Sequence, residues 1–336
     1  MKRGLIVVLF LLGVLIFSQN TKVQSQTEAT SIYFARARFT DVPVYYDTSD
    51  QAIFIPSHDR IYRNSVQRLE RIDDQWSRLY PDNGLYSPWY EYDGYWDVYV
   101  HNSDFDPITN FEPITVLNDT ANTEKLVIVI RQYYPELYLV ENNQIVAKIP
   151  TCLGGYYNNS TTPIGFFRID ASWVTRHMNT LPGVPFTVFY SQYLGTAFHG
   201  APWRDWDLMD RGCYGSAGCI NLPTPSKWDV FWNGERFGFD HFFFNWTRTN
   251  LFYDPYTQEP WILSWVDEGW YEGQTSIRVY VIEEINDLWN YQPDLTGTGR
   301  LDSWQPIIDQ YYQLSEVWRL PDNTDGVVSF RDIPME

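Results

Sequence analysis

Apolar and polar positions alternate at the start of the region following residue 31, as Ile32-Tyr33-Phe34-Ala35-Arg36-Ala37-Arg38-Phe39 and then Val42-Pro43-Val44-Tyr45-Tyr46. A period of two places every second side chain on one face, so these runs predict short strands, with the polar residues 47–50 as a turn. Trp89-Tyr90-Glu91-Tyr92-Asp93-Gly94-Tyr95-Trp96-Asp97-Val98-Tyr99-Val100-His101 has Asp-Gly between two aromatic alternating runs, which predicts a hairpin. Residues 65–80 interrupt this rhythm and read as a helical or irregular insertion in a small β module spanning 32–117. The polar link Asn118-Asp119-Thr120-Ala121-Asn122-Thr123-Glu124 marks a boundary. Beyond it Leu126-Val127-Ile128-Val129-Ile130, Glu136-Leu137-Tyr138-Leu139-Val140 and Gln144-Ile145-Val146-Ala147-Lys148-Ile149 predict a meander, the last two strands joined by an Asn142-Asn143 turn. Phe166-Phe167-Arg168-Ile169 is again strand-like, and Ser276-Ile277-Arg278-Val279-Tyr280-Val281-Ile282 predicts a last strand. Residues 226–270 are rich in Trp and Phe without a clean period, and the cluster at 228–246 reads as core or a domain seam. The tail, 284–336, contains one predicted helix at 303–317. No internal repeat is visible.

The expected fold is therefore mainly β, a small barrel-like N-terminal module at 32–117 followed by a sandwich-like domain at 125–283 and a C-terminal extension. Ahead of both, Lys2 and Arg3 precede an uncharged run from Gly4 to Phe17 and then a polar stretch. That run is shorter than the roughly 20 residues needed to cross a bilayer. Residues 1–25 thus read as an export signal, with an uncleaved N-terminal anchor as the alternative, and the body is expected outside the cytoplasm, in the cell envelope or beyond. Contact with a membrane is expected only through this segment, should it be retained.

Composition narrows the partners. Lysine and arginine number 24 against 42 aspartates and glutamates, a formal charge of −18, which argues against a nucleic-acid-binding protein. Fifteen Trp, 25 Tyr and 20 Phe suit strand-rich packing and carbohydrate or peptide contact. Three cysteines, Cys152, Cys213 and Cys219, are an odd number for an exported chain. Either one pair forms and one thiol is spare, or all three are free; if Cys152 and Cys213 pair, Cys219 is the spare. There is no Cys-x-x-Cys pair, and nothing calls for a metal or organic cofactor. Residues 294–302 lack the ligand alternation of a calcium loop and read as a turn.

Chemistry concentrates in Ser216-Ala217-Gly218-Cys219-Ile220-Asn221-Leu222, where a cysteine follows a small flexible turn whose amides can point at a reacting carbonyl. Upstream, Thr196-Ala197-Phe198-His199-Gly200 ends an apolar strand in a histidine, the base that a thiol of ordinary pKa needs at neutral pH. His58, His101, His177 and His241 read as packing or surface residues.

The run from about 125 to 222 resembles the L,D-transpeptidase (YkuD-type) catalytic domain. That family carries a histidine, an intervening loop, and then Ser/Thr-His-Gly-Cys, an aliphatic residue and Asn or Arg. Here the histidine is His199, the 16 residues 200–215 intervene, and Ser216-Ala217-Gly218-Cys219-Ile220-Asn221 is the block. Thr162-Pro163-Ile164-Gly165-Phe166-Phe167 and Phe198-His199-Gly200 match two further elements in order. The N-terminal module is similar, more loosely, to bacterial Src-homology-three-like barrels found beside cell-wall enzymes.

The resemblance implies acyl transfer on peptidoglycan stem peptides, with Cys219 as nucleophile and His199 as base. It further implies that the Gly200 carbonyl orients the imidazole, that the Gly218 and Cys219 amides form the oxyanion hole, and that Ser216 and Asn221 shape the loop or touch the donor stem. An amine acceptor gives a cross-link; water as acceptor gives an L,D-carboxypeptidase. Residues 172–186 sit where the family carries a lid. The family's second histidine is Ala217 here, so the alternative is a weakened or inactive wall-binding or scaffolding protein on the same fold.

Overall fold

The computed structural model describes residues 32–45, 47–49, 61–80, 98–117, 124–155, 161–178, 181–248, 277–293 and 303–314, with short strand pieces at 252–253, 260–261, 270–272 and 274–275. The leader at 1–25, the first part of the hairpin at 89–101, the link at 118–123, His58 and the turn at 294–302 lie outside these residues. The described chain is mainly β, in three larger sheets.

The N-terminal sheet has the order Tyr99–His101, Trp76–Leu79, Val66–Arg71, Ile32–Ala37, Phe105–Ile108, all antiparallel. Two of its strands fall in residues 65–80, so the expected helical or irregular insertion is instead the middle of the sheet. Val66–Arg71 is buried on both faces up to Glu70, and two of its charges have partners nearby: Glu70 pairs with Arg78, and the Arg68 guanidinium lies 4.4 Å over the Tyr80 ring. Neighbouring strands supply what the local pattern lacks.

The middle sheet runs Gly165–Arg168, Arg278–Ile282, Lys125–Ile130, Glu136–Glu141, Gln144–Pro150. Asn142 and Asn143 both have positive φ, 46° and 67°, as a two-residue type I′ turn requires. The unbroken apolar run at 126–130 is explained by burial on both faces. Val127 and Val129 face the main core, whereas Leu126, Ile128 and Ile130 face a second cluster closed by Trp304, Ile307 and Ile308. The helix expected over 303–317 is Gln305–Gln313, and it covers this outer face.

The third sheet has the order Cys213–Ser216, Cys152–Gly154, Ile220–Leu222, Thr196–Gly200, Leu181–Ser191, Ala171–Met178, Trp270–Glu272. The main core lies between its inner face, with Val188, Phe198, Ile220 and Leu222, and the middle sheet. Phe239–Thr247, a helix buried at every residue, fills one end of it. All-round burial removes the 3.6-residue period, which is why the 228–246 cluster showed no rhythm. The 172–186 stretch, expected as a lid, is an antiparallel pair integral to this sheet, and Thr175 Oγ1 donates to the Val66 carbonyl of the N-terminal sheet. Phe34 and Val66 continue the main core into that module.

Candidate functional site

His199 stands on Thr196–Gly200 and Asn221 on Ile220–Leu222, neighbouring parallel strands in which the two residues are register partners. Phe198 points into the main core, so alternation turns Ala197 and His199 to the opposite, outer face. Cys219 directly precedes Ile220, which pairs with Phe198, so its level is that of Ala197, and it packs against Ala197, Ala171 and Phe189 on that same face. Two residues along a strand at about 3.3 Å each and one strand spacing of about 4.8 Å across separate the backbones of Cys219 and His199 by about 8 Å.

The structure brings His199 together with Asn221 and Gly200 and leaves the thiol beside them. His199 Nδ1 lies 2.8 Å from the Gly200 carbonyl, which accepts its proton, and Asn221 Nδ2 lies 3.1 Å from Nε2. The Cys219 thiol donates instead to the Gly195 carbonyl at 3.8 Å. Asn221, expected to shape the loop or touch the donor, is thus the imidazole's direct neighbour. Its own Oδ1 accepts from Arg204 Nε at 2.9 Å. Trp203 places its ring 5.8 Å from that of His199.

Burial holds the His199 pKa down at about 4; the charge of Arg204 adds to the effect and the Gly200 carbonyl opposes it. Burial also pushes the Cys219 thiol up, against the Ala197 amide, which favours the thiolate. Both groups are therefore neutral at pH 7, a thiol and a free base rather than a preformed ion pair.

Two glycines set the local backbone. A Cβ on Gly200 would lie 2.4 Å from Asp240 Oδ2 and 2.6 Å from Pro185 Cγ, so only glycine fits between the imidazole's carbonyl anchor and the helix beneath it. Gly218 has φ 105°, outside the range of other residues. Its N–H, expected in the oxyanion hole, donates to Ser216 Oγ at 3.2 Å, while that hydroxyl donates to the Cys219 carbonyl. A serine two residues upstream competes for the amide in the manner of an ST turn. Ser216 accordingly staples the loop that carries Cys219.

Cys152 and Cys213 form a disulfide across neighbouring strands, and Cys219 is free. Arg204 carried no motif in the sequence. The signal that could have found it is the turn after the histidine strand: Pro202 follows Ala201, and Arg204 N–H donates back to the Ala201 carbonyl at 3.1 Å, folding the arginine alongside Asn221. Among the described residues no His, Cys, Asp and Glu grouping could hold a metal ion, and no helix is long and apolar enough to cross a membrane.

With this geometry in place, comparison supplies the class. Residues 124–233 match the family model of the L,D-transpeptidase catalytic domain, YkuD, a span that includes His199, Asn221 and Cys219. This segment is similar to L,D-transpeptidase catalytic domains. Two solved structures are similar to the chain: an L,D-transpeptidase from Mycobacterium smegmatis, at 13% identity over 72% of this chain and 82% of that one, and the LD transpeptidase LdtMt1 in complex with imipenem, at 14% identity over 75% and 97%. The TM-score is 0.29 for each. No curated protein matches the chain.

Proposed function

We propose that this protein is an exported cysteine acyltransferase that acts on peptidoglycan stem peptides. The observation that carries the reading is the family match spanning a free cysteine and a buried neutral histidine on one face of one sheet. His199 Nε2 takes the proton of the Cys219 thiol as Sγ attacks the carbonyl carbon of the third stem residue. The tetrahedral intermediate collapses with departure of the terminal D-alanine, whose amine receives that proton, and a thioester remains on Cys219. A side-chain amine of a second stem attacks the thioester, forms the new amide bond and releases the thiol. Water in its place makes the reaction an L,D-carboxypeptidation.

The resting hydrogen bonds define what must move. The thiol leaves the Gly195 carbonyl and closes one diagonal step toward the imidazole, and the Asn221 carboxamide moves off Nε2 together with Arg204 to admit it. The Gly218 amide exchanges Ser216 Oγ for the substrate oxygen as negative charge develops there. His199 Nδ1–H stays on the Gly200 carbonyl throughout and keeps the ring in plane with its task. Export through the 1–25 segment delivers the domain to its substrate.

Intact-mass measurement after exposure to a carbapenem tests the reading, with Cys219→Ala as control. A single stoichiometric adduct lost in the variant is expected. No adduct on protein whose Cys219 is demonstrably reduced overturns it in favour of a wall-binding scaffold, the reading that Ala217 and the occupied Nε2 favour.

A further inference from the structure

We propose that Arg204 is a positioning residue: by locking the Asn221 carboxamide it holds His199 as a neutral imidazole with its lone pair on Nε2. The inference rests on the acyltransferase reading for its purpose and on geometry for its substance. An arginine Nε–H can only donate, so its 2.9 Å contact fixes the oxygen end of the Asn221 side chain. The amide's nitrogen end then necessarily faces His199 Nε2, at 3.1 Å. An N–H donor there requires an acceptor, so Nε2 carries the lone pair and Nδ1 the proton, which the Gly200 carbonyl accepts at 2.8 Å. Three hydrogen bonds thereby select a single protonation state.

In the resting protein the lock acts when His199 would gain a proton from solvent. An imidazolium presents Nε2–H to Asn221 Nδ2, donor against donor. A free asparagine relieves this by turning its oxygen to the ring; Arg204 forbids the turn by holding that oxygen. The guanidinium is itself anchored, with Nη1 3.5 Å from Cys213 Sγ of the disulfide. Asn221 is anchored from behind by Thr151 Oγ1, which donates to its carbonyl at 2.6 Å. The other titratable groups around the ring do not supply this function. Cys219 is a neutral thiol on the same face, the Tyr190 hydroxyl is held protonated by burial, and Asp240 beneath Gly200 is matched by Arg36 at 2.9 Å.

Titrating the His199 imidazole by NMR in the resting full chain tests the proposal. In the wild-type protein the midpoint should stay in the acid range. Arg204→Met, which removes donor and charge, should raise it by about one pH unit, a tenfold change in proton affinity, and move the acid limb of the carbapenem-acylation rate by the same amount. Arg204→Lys, which keeps donor and charge, should restore most of the low midpoint. Should Arg204→Met fail to fold, Arg204→Gln, which drops the charge but reaches the same oxygen, must shift the midpoint upward by a smaller step. An unchanged midpoint in a folded Met or Gln variant overturns the proposal. Since the titration needs no turnover, a carbapenem-inert protein with a shifted midpoint would refute the acyltransferase reading and leave the lock standing. The reverse pair of results would do the opposite.

Discussion

His199 and His241 are two versions of one environment. Each is buried, each has an asparagine amide at Nε2, 3.1 Å for Asn221 and 3.3 Å for Asn245, and burial holds each pKa down, at about 4 and about 3. Their surroundings differ. His241 lies on the Phe239–Thr247 helix, stacked on Phe186 at 4.4 Å and edged by Phe237 at 5.0 Å, and its asparagine sits one turn further along the same helix. His199 lies on an outer sheet face with a free thiol one diagonal step away, and its asparagine is held by an arginine from another segment. Low proton affinity comes from burial and marks both; a free thiol on the same sheet face marks only one.

The widest separation between the two should come from substitution. His199→Gln is expected to slow carbapenem adduct formation by about 10²–10⁴-fold, the range for loss of a general base. His241→Gln should leave the acylation rate of the folded protein unchanged and cost about 1–3 kcal/mol of stability, read from urea unfolding. Equal rate losses in the two variants would erase the distinction drawn here.

Acid should treat the two alike. Both imidazoles bind protons more weakly folded than unfolded, so each contributes stability that is complete above about pH 6.5 and is lost as pH falls toward 4 for His199 and 3 for His241. The contributions are on the order of 3 kcal/mol for His199 and 5 kcal/mol for His241. The unfolding free energy should therefore fall steeply below about pH 6, and His241→Gln should flatten that slope by roughly half. An acid slope indifferent to either substitution would show that these rings are not the groups being charged.

A smaller effect separates the rings again. Gly200→Ala drives a methyl group into Asp240 and Pro185 and should cost about 1–3 kcal/mol by overpacking. Because the same residue's carbonyl holds His199 Nδ1, adduct formation should slow in parallel, an effect that His241→Gln does not have. Loss of stability with an unaltered acylation rate would detach the Gly200 carbonyl from the imidazole's positioning.

How much was legible in the sequence follows the same physics. The meander at 126–149 was readable because both its strands and its Asn142-Asn143 turn obey local rules. Residues 65–80 were not, because the burial of Arg68 and Glu70 depends on contacts such as those with Tyr80 and Arg78, which local pattern does not show. The Phe239–Thr247 helix was hidden by its uniform burial. At the site, the cysteine, the histidine and their spacing stood out as residue types, and the Gly200 carbonyl follows its histidine directly in the chain. Arg204 and the capture of the Gly218 amide by Ser216 did not stand out, since both depend on how loops fold back in space.

One contact reaches further than its place in the fold suggests. Arg36, on the first strand of the N-terminal sheet, is the counter-ion of Asp240, whose carboxylate lies directly under Gly200. A fragment trimmed to the family-matching segment would retain Cys219 and His199 but maroon a charge beneath them, and stranding one member of a buried pair costs about 3–5 kcal/mol. The leading module is thus part of the chassis on which the sheet carrying His199 is mounted, and modular excision at residue 124 cuts through a support.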